Sequence, residues 1–263
     1  MKHPIITLTT DFGLSDHYVA AMKGVILGIC PDSTIVDISH SVAPYSIAEG
    51  AWLISQVWQS FPAGTVHVVV VDPGVGSERR AIVAEVEGHR FVAPDNGVLS
   101  LVLDAVRPSR IRQIAAARYF VHPGSQTFHG RDIFAPVAAR IAGGLAPWRL
   151  GALINDAIHL PLAEPRRTTP KSWQGVVLHI DRFGNIVTNF STAKWPDLAN
   201  TPFRLRVAGI NISLTATTYA AMKPGKFFLI AGSSGHWEIS CNQRDTATLL
   251  SAKPGDILNL RLL

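Results

Sequence analysis

Cysteine, charge and long apolar runs are all scarce in this chain of 263 residues. Its two cysteines, Cys30 and Cys241, lie far apart with no C-x-x-C spacing, so neither a disulfide framework nor a zinc knuckle is suggested and a reducing compartment fits. No hydrophobic run approaches membrane-spanning length, so no membrane partner is expected. The amino terminus, Met1-Lys2-His3-Pro4-Ile5, enters a strand pattern at once and lacks the apolar core of a signal peptide, which makes a cytoplasmic location the expectation. There is no Gly-Lys-Ser/Thr phosphate loop, and Gly74-Val75-Gly76 lacks the third glycine of a dinucleotide fingerprint. A net charge of +5 could point to nucleic acid, but the basic residues are scattered and do not interleave with aromatics, so no nucleic-acid partner is expected.

What is present is a 47% hydrophobic share, enough to build one large or two modest cores. The most informative stretch is Val66-His-Val-Val-Val-Val-Asp-Pro-Gly-Val-Gly-Ser-Glu-Arg-Arg80. Its β-branched run reads as a strand buried on both faces, and it stops at Asp72, placing a carboxylate at the rim of a sheet where open α/β folds bind ligands. Pro73, Gly74 and Gly76 form a tight turn that presents Asp72 and Arg79 together. From this stretch alone, a strand-capping Asp beside a surface Arg accounts for the pattern equally well.

Upstream, Ile5–Thr10 reads as a strand ending at Asp11, Ser15-Asp16 as the start of a helix whose apolar spacing runs from Tyr18 to Ile29 until Pro31 ends it, Ile35–Ser39 as a strand and Ile47–Trp58 as a helix. This alternation predicts crossovers and a parallel sheet. Downstream come a hairpin around Gly88, a turn at Pro94-Asp95-Asn96-Gly97, a helix over Val98–Val106, and His129 in a loop before another helix. Pro161, Pro165 and Pro170 mark a linker, after which short β-type runs recur to Leu262. The expected architecture is an α/β domain with a largely parallel sheet flanked by helices (1–160), a linker (161–172), and a smaller all-β barrel-like domain (173–263).

Read together, Thr10-Asp11-Phe12-Gly13, Asp72-Pro73-Gly74-Val75-Gly76, Pro94-Asp95-Asn96-Gly97, Thr127-Phe128-His129-Gly130-Arg131-Asp132, Asp181-Arg182-Phe183-Gly184-Asn185-Ile186-Val187-Thr188-Asn189 and Gly232-Ser233-Ser234-Gly235 resemble the S-adenosyl-L-methionine (SAM) hydroxide adenosyltransferase family, relatives of fluorinating and chlorinating enzymes. The resemblance implies attack of water or hydroxide on the ribose 5′ carbon of SAM, giving adenosine and L-methionine. It also implies no cofactor, no metal, and a homotrimer with active sites between subunits.

It further implies that Asp72, Arg79 and His129 are catalytic: Asp72 to hold the water and take its proton, Arg79 to keep that carboxylate charged and oriented, His129 to add a hydrogen bond or relay the proton. Asp11 is implied to grip the ribose diol, Asp16 and Asp181 to face the methionine ammonium, and Asn185 to read adenine with Phe183 packed on the purine. Ser233 and Ser234 are implied to receive the methionine carboxylate, and Tyr45 to join the substrate site. The fluorinating member carries Tyr at the position of Asp72, Thr at Val75 and Ser at Gly130, so this chain lacks the halide pocket. It departs from the family pattern after Asn242, where Gln243-Arg244-Asp245-Thr246-Ala247 is bulkier and more charged. The competing readings are a SAM or adenosine binding module with little turnover, a halogenating relative, and a metal-dependent hydrolase built on Asp11, Asp72 and His129.

Overall fold

The computed structural model describes residues 3–106, 110–122, 126–160 and 164–263. Contacts concentrate in two units, Met1–Pro161 and Leu162–Leu263. In the first, the order is β1 (Ile5–Thr10), α1 (Tyr18–Ile29), β2 (Thr34–Ser39), α2 (Ile47–Val57), β3 (Val66–Val70), β4 (Ala81–Val86), β5 (His89–Pro94), α3 (Ser100–Ala105), β6 (Arg110–Gln113), α4 (Ala135–Ala142) and β7 (Leu153–Ile154). The strands form one sheet in the order β2-β1-β3-β5-β4-β6-β7.

That sheet is mixed. It is parallel from β2 through β5, as the strand and helix alternation requires, and antiparallel through β4, β6 and β7. The change comes at the β4–β5 hairpin, where Glu87 and Gly88 both have positive φ (46° and 81°), the geometry that matches the twist of paired strands. Successive valines of the central strand feed opposite cores. Val66, Val68 and Val70 pack with Met22 and Ile26 of α1 and Val137 of α4, whereas Val69 and Val71 pack with Ile54 of α2 and Val102 of α3. Burying each such valine contributes about 1.5–3 kcal/mol, so the carboxyl end of β3 is a firmly fixed point.

The second unit contains β8 (Arg166–Thr169), β9 (Ser172–Ile180), β10 (Ile186–Ser191), β11 (Phe203–Val207), β12 (Ile210–Ile212), β13 (Thr215–Ala216), β14 (Phe227–Ala231), β15 (His236–Cys241), α5 (Thr246–Leu250) and β16 (Ile257–Leu262). The sheet order is β12-β11-β16-β9-β10-β15-β14-β13, with β8 on β9, and it is antiparallel except where β13 joins β14. Strand β9 pairs with β16 through Val176 and with β10 from Val177 onward. Gly175 sits at this exchange because a β-carbon there would run into Asn189 Oδ1 and the Phe190 ring.

Two features of this unit differ from the sequence reading. Arg166–Thr169, within the expected linker, pairs as an exposed edge strand on β9, and residues 161–163 of that linker lie outside the described residues. Helix α5 has too few residues to show a period, and it starts at an Asp245 cap whose carboxylate accepts from Thr248 N at 2.8 Å. Both cysteines are buried and free, and among the described residues no helix is long and apolar enough to cross a membrane.

A polar chain crosses the first unit's sheet from β1 to β5. Thr7 Oγ1 lies 2.8 Å from His67 Nδ1, and His67 Nε2 lies 3.1 Å from His89 Nδ1. Each neutral imidazole has one donor and one acceptor nitrogen, so this chain is satisfied without charge. Burial pushes the pKa of His67 from its ordinary 6.5 down to about 3, and burial lowers that of His89 as well. Between about pH 6.5 and pH 3 the unfolded chain therefore binds a proton at His67 that the folded chain does not. Stability is fully present above that window and falls as pH drops through it. Urea midpoints measured from neutral pH into this range should decline, and His67→Gln should flatten the decline; an unchanged slope in the variant would contradict the assignment.

Candidate active site

Asp72 follows β3 after one further buried residue, Val71, and the chain reverses there in a turn closed by Val75 N donating to Asp72 O (3.2 Å) and Ser77 N to Gly74 O (3.1 Å). The turn returns Arg79 to the same carboxylate. Arg79 Nε donates to both Asp72 oxygens at 2.9 and 3.1 Å, and Nη2 donates to Oδ2. The two side chains are 9% and 5% exposed, so this is a buried, forked ion pair. Arg79 Nη2 also lies 2.7 Å from His129 Nδ1. A guanidinium can only donate, so Nδ1 is the acceptor and His129 carries its proton on Nε2. The guanidinium is further held over the Phe134 ring, 5.2 Å from its centre.

Several loops hold this arrangement. His129 opens a π-helical turn, Gly130–Phe134, that runs into α4. Gly76, at φ 81°, lets the turn touch the segment before His129, because a β-carbon at 76 would strike the Gln126 carbonyl. The Pro94–Gly97 turn grips the Asp72 loop at both ends. Asn96 Nδ2 donates to Val71 O at 2.9 Å, while Asp95 N donates to Arg80 O at 2.9 Å and the Asp95 carboxylate accepts from Arg80 Nε at 2.8 Å.

Beside the carboxylate and imidazole lies a cavity of about 130 Å³, walled by Phe12, Tyr18, Val75 and Phe128. At about 30 Å³ per water, it holds a few solvent molecules at most. A β-carbon on Gly130 would sit 3.1 Å from the Phe12 and Phe128 rings and 3.2 Å from Met22 Sδ, so a larger side chain there needs these groups to move. Asp11, at the end of β1, accepts from Tyr45 N at 2.9 Å; Tyr45 has φ 68° and is exposed. Asp16 is exposed and does not cap α1, whose cap residue His17 makes no side-chain capping bond. Arg79 stands between Asp72 and His129, so these two do not converge as ligands, and among the described residues no three His, Cys, Asp or Glu side chains form a metal site.

The second unit has its own cavity, about 640 Å³, within the size range of small-molecule sites. Asp181, Phe183, Asn185 and Ser233 line it, as does the Gln243–Asp245 segment. Ser234 is not in this lining set; its carbonyl accepts from His236 Nδ1 at 3.0 Å. Phe183 is 77% exposed, an aromatic face free to pack on a planar ligand. Asp181 is turned inward on its own loop: Oδ1 accepts from Phe183 N (2.9 Å) and Asn185 N (2.8 Å), and Oδ2 from Asn185 Nδ2 (2.8 Å). Two further lining residues went unread in the sequence, Tyr219 and Glu238. Glu238 offered one signal, a lone carboxylate in the apolar strand Trp237-Glu238-Ile239.

The hydrogen-bond order Asp72–Arg79–His129 makes a direct prediction. Long-range ¹H–¹⁵N correlation at neutral pH should show His129 as the Nε2–H tautomer, and Arg79→Ala should abolish that pattern; a protonated Nδ1 in the parent protein would refute the arrangement.

Residues 6–151 match the model of the SAM hydroxide adenosyltransferase N-terminal domain, and residues 175–259 that of the C-terminal domain. A Salinispora arenicola protein named (R)-S-adenosyl-L-methionine hydrolase is 37% identical over 267 residues, spanning 98% of this chain and 97% of its own. A fluorinase from an Actinoplanes species is 26% identical over 285 residues, spanning 96% of each chain. The crystal structure of an uncharacterized conserved protein from Thermotoga maritima superposes with a TM-score of 0.88 at 35% identity, covering 97% of this chain and 99% of the other. With both domain models matched in order over most of its length, this chain belongs to the SAM hydroxide adenosyltransferase family, related to fluorinase.

Proposed function

We propose that the protein hydrolyses SAM to adenosine and L-methionine, with Asp72, Arg79 and His129 as its catalytic residues. The observation that carries this reading is the single guanidinium bonded to both a carboxylate and an imidazole that line a cavity with room for a few waters. The oxygen of water bonds to C5′ as the C5′–S bond breaks, and that bond's electron pair stays on sulfur. The leaving group is a neutral thioether and needs no acid, so the demand falls on aligning and deprotonating the water.

With Nδ1 of His129 engaged by Arg79, the ring offers a donor at Nε2 rather than a base. Asp72 is then the acceptor for the water proton, since its Oδ1, bonded only to Arg79 Nε, keeps a lone pair, whereas Oδ2 accepts from both Nε and Nη2. Negative charge on the nucleophile and positive charge on sulfur cancel as the reaction proceeds, which favours a site from which bulk water is excluded. A halide would meet the anionic Asp72 and a crowded Gly130, so water is the better-suited nucleophile.

In the same reading, Asp11 with Tyr45 binds the ribose, Asp16 and Asp181 face the ammonium, Phe183 and Asn185 take the adenine, and Ser233 and Ser234 take the carboxylate. The protein acts in the cytoplasm as a homotrimer, with an α/β domain to about residue 160 supplying the water-handling groups and an all-β domain of a neighbouring copy completing the site. Buried free thiols are in keeping with that compartment.

Purified protein given SAM in H₂¹⁸O, without added metal and with chelator present, should yield methionine and adenosine carrying ¹⁸O at the 5′ position. Asp72→Asn should lower kcat by about 100-fold or more with a small change in KM. Absence of both products, or an unaffected rate in Asp72→Asn, would remove the proposal.

A further inference from the structure

The loop that carries Asp11 is anchored by a buried histidine to which the reaction above gives no task. His40 is 5% exposed and comes directly after Ser39, the last residue of β2. The pairing slips just before it: Leu8 of β1 faces Asp37 and Thr9 faces Ser39, so that Ile38 is skipped in a bulge. His40 Nδ1 lies 2.8 Å from the buried hydroxyl of Thr10. Its Nε2 lies 3.0 Å from Asp37 Oδ1, and Lys23 Nζ donates to the other Asp37 oxygen at 2.6 Å. A carboxylate only accepts, so the neutral ring carries its proton on Nε2 and Nδ1 accepts from the Thr10 hydroxyl. That hydroxyl in turn accepts from Phe12 N at 3.2 Å, and the His40 carbonyl accepts from Gly13 N at 2.7 Å.

We propose that His40 is a positioning residue for Asp11, acting through Thr10 to aim that carboxylate at the ribose hydroxyls. This rests on the reading above, in which Asp11 binds the ribose. The ring reaches the residue before Asp11, Thr10 passes that hold on to the amide of the residue after it, and the His40 carbonyl takes the next amide. Asp11 is thus fixed on both sides by one residue from another segment. Tyr45 N secures Asp11 Oδ2, and among the described residues the carboxylate has no other hydrogen-bond partner, which leaves Oδ1 for a ligand hydroxyl. Hydrogen bonds weaken steeply with misalignment, so a loop free to tilt would keep the carboxylate and lose its grip on the diol. The ring itself is packed away from the ligand and acts only through the angle it imposes.

The test is calorimetric, with adenosine and 2′,3′-dideoxyadenosine titrated into the parent protein, His40→Ala, His40→Asn, Asp11→Asn and the His40→Ala, Asp11→Asn double variant. His40→Ala should weaken adenosine roughly 10-fold, the span of a charge-assisted hydrogen bond, and leave the dideoxy nucleoside within about twofold, which also shows that the variant is folded. In the Asp11→Asn background the same change should cost adenosine nothing further. His40→Asn, whose amide oxygen stands near the place of Nδ1 and can still accept from Thr10, should bind adenosine within about threefold of the parent. Equal weakening of both nucleosides by His40→Ala would mean a general support of the fold, and an unweakened adenosine affinity would mean that Asp11 needs no such aim; either overturns the assignment. If Asp11→Asn itself leaves adenosine unweakened, the ribose reading falls and this assignment with it, whereas a loss in Asp11→Asn without one in His40→Ala sinks this assignment alone.

Discussion

One guanidinium ties a carboxylate and an imidazole together in the amino-terminal unit. Arg79 is the hydrogen-bond partner of both Asp72, 7 residues before it, and His129, 50 residues after it, and it is sequestered almost completely from solvent. Buried charges are tolerated only when paired and well bonded, and here the planar fork of an arginine satisfies a carboxylate on one edge and an imidazole nitrogen on the other. A lysine in its place would supply charge without that geometry. A nitrogen that accepts from Arg79 has its lone pair engaged, which fixes the tautomer of His129.

The fold supplies the rigidity this pairing needs. Strand β3 is fixed from both faces by two separate apolar cores, the Pro94–Gly97 turn holds the Asp72 loop at its two ends, and the π-helical turn aims His129 from the start of α4. The result is a cavity whose polar groups are set before any ligand arrives. Polar groups held in place in this way need not reorganise when a ligand or water arrives.

The central strand, the Asp72 turn and the strand-and-helix alternation were legible in the sequence because each has a strong local signal. The hairpin around Gly88 was legible as well, but β6 and β7 beyond it were not, since strands of four and two residues carry too little pattern to read. The bulky Gln243–Ala247 segment reads as a departure in sequence but has a local structural reason: Asp245 caps α5 and crowds Gly184, whose missing side chain makes room for it. Tyr219 and Glu238 were harder to read, because they reach the cavity from separate segments that no spacing rule connects.

Gly76 has a consequence for how such proteins can change over time. The stretch that bears Arg79 and the stretch that bears His129 meet where a backbone carbonyl occupies the space a β-carbon would need. Drift in loop length far from this contact leaves the meeting intact, whereas the smallest possible enlargement at position 76 pries the two segments apart. The most permissive residue in the turn is therefore the one where a single added carbon has to displace backbone rather than a side chain.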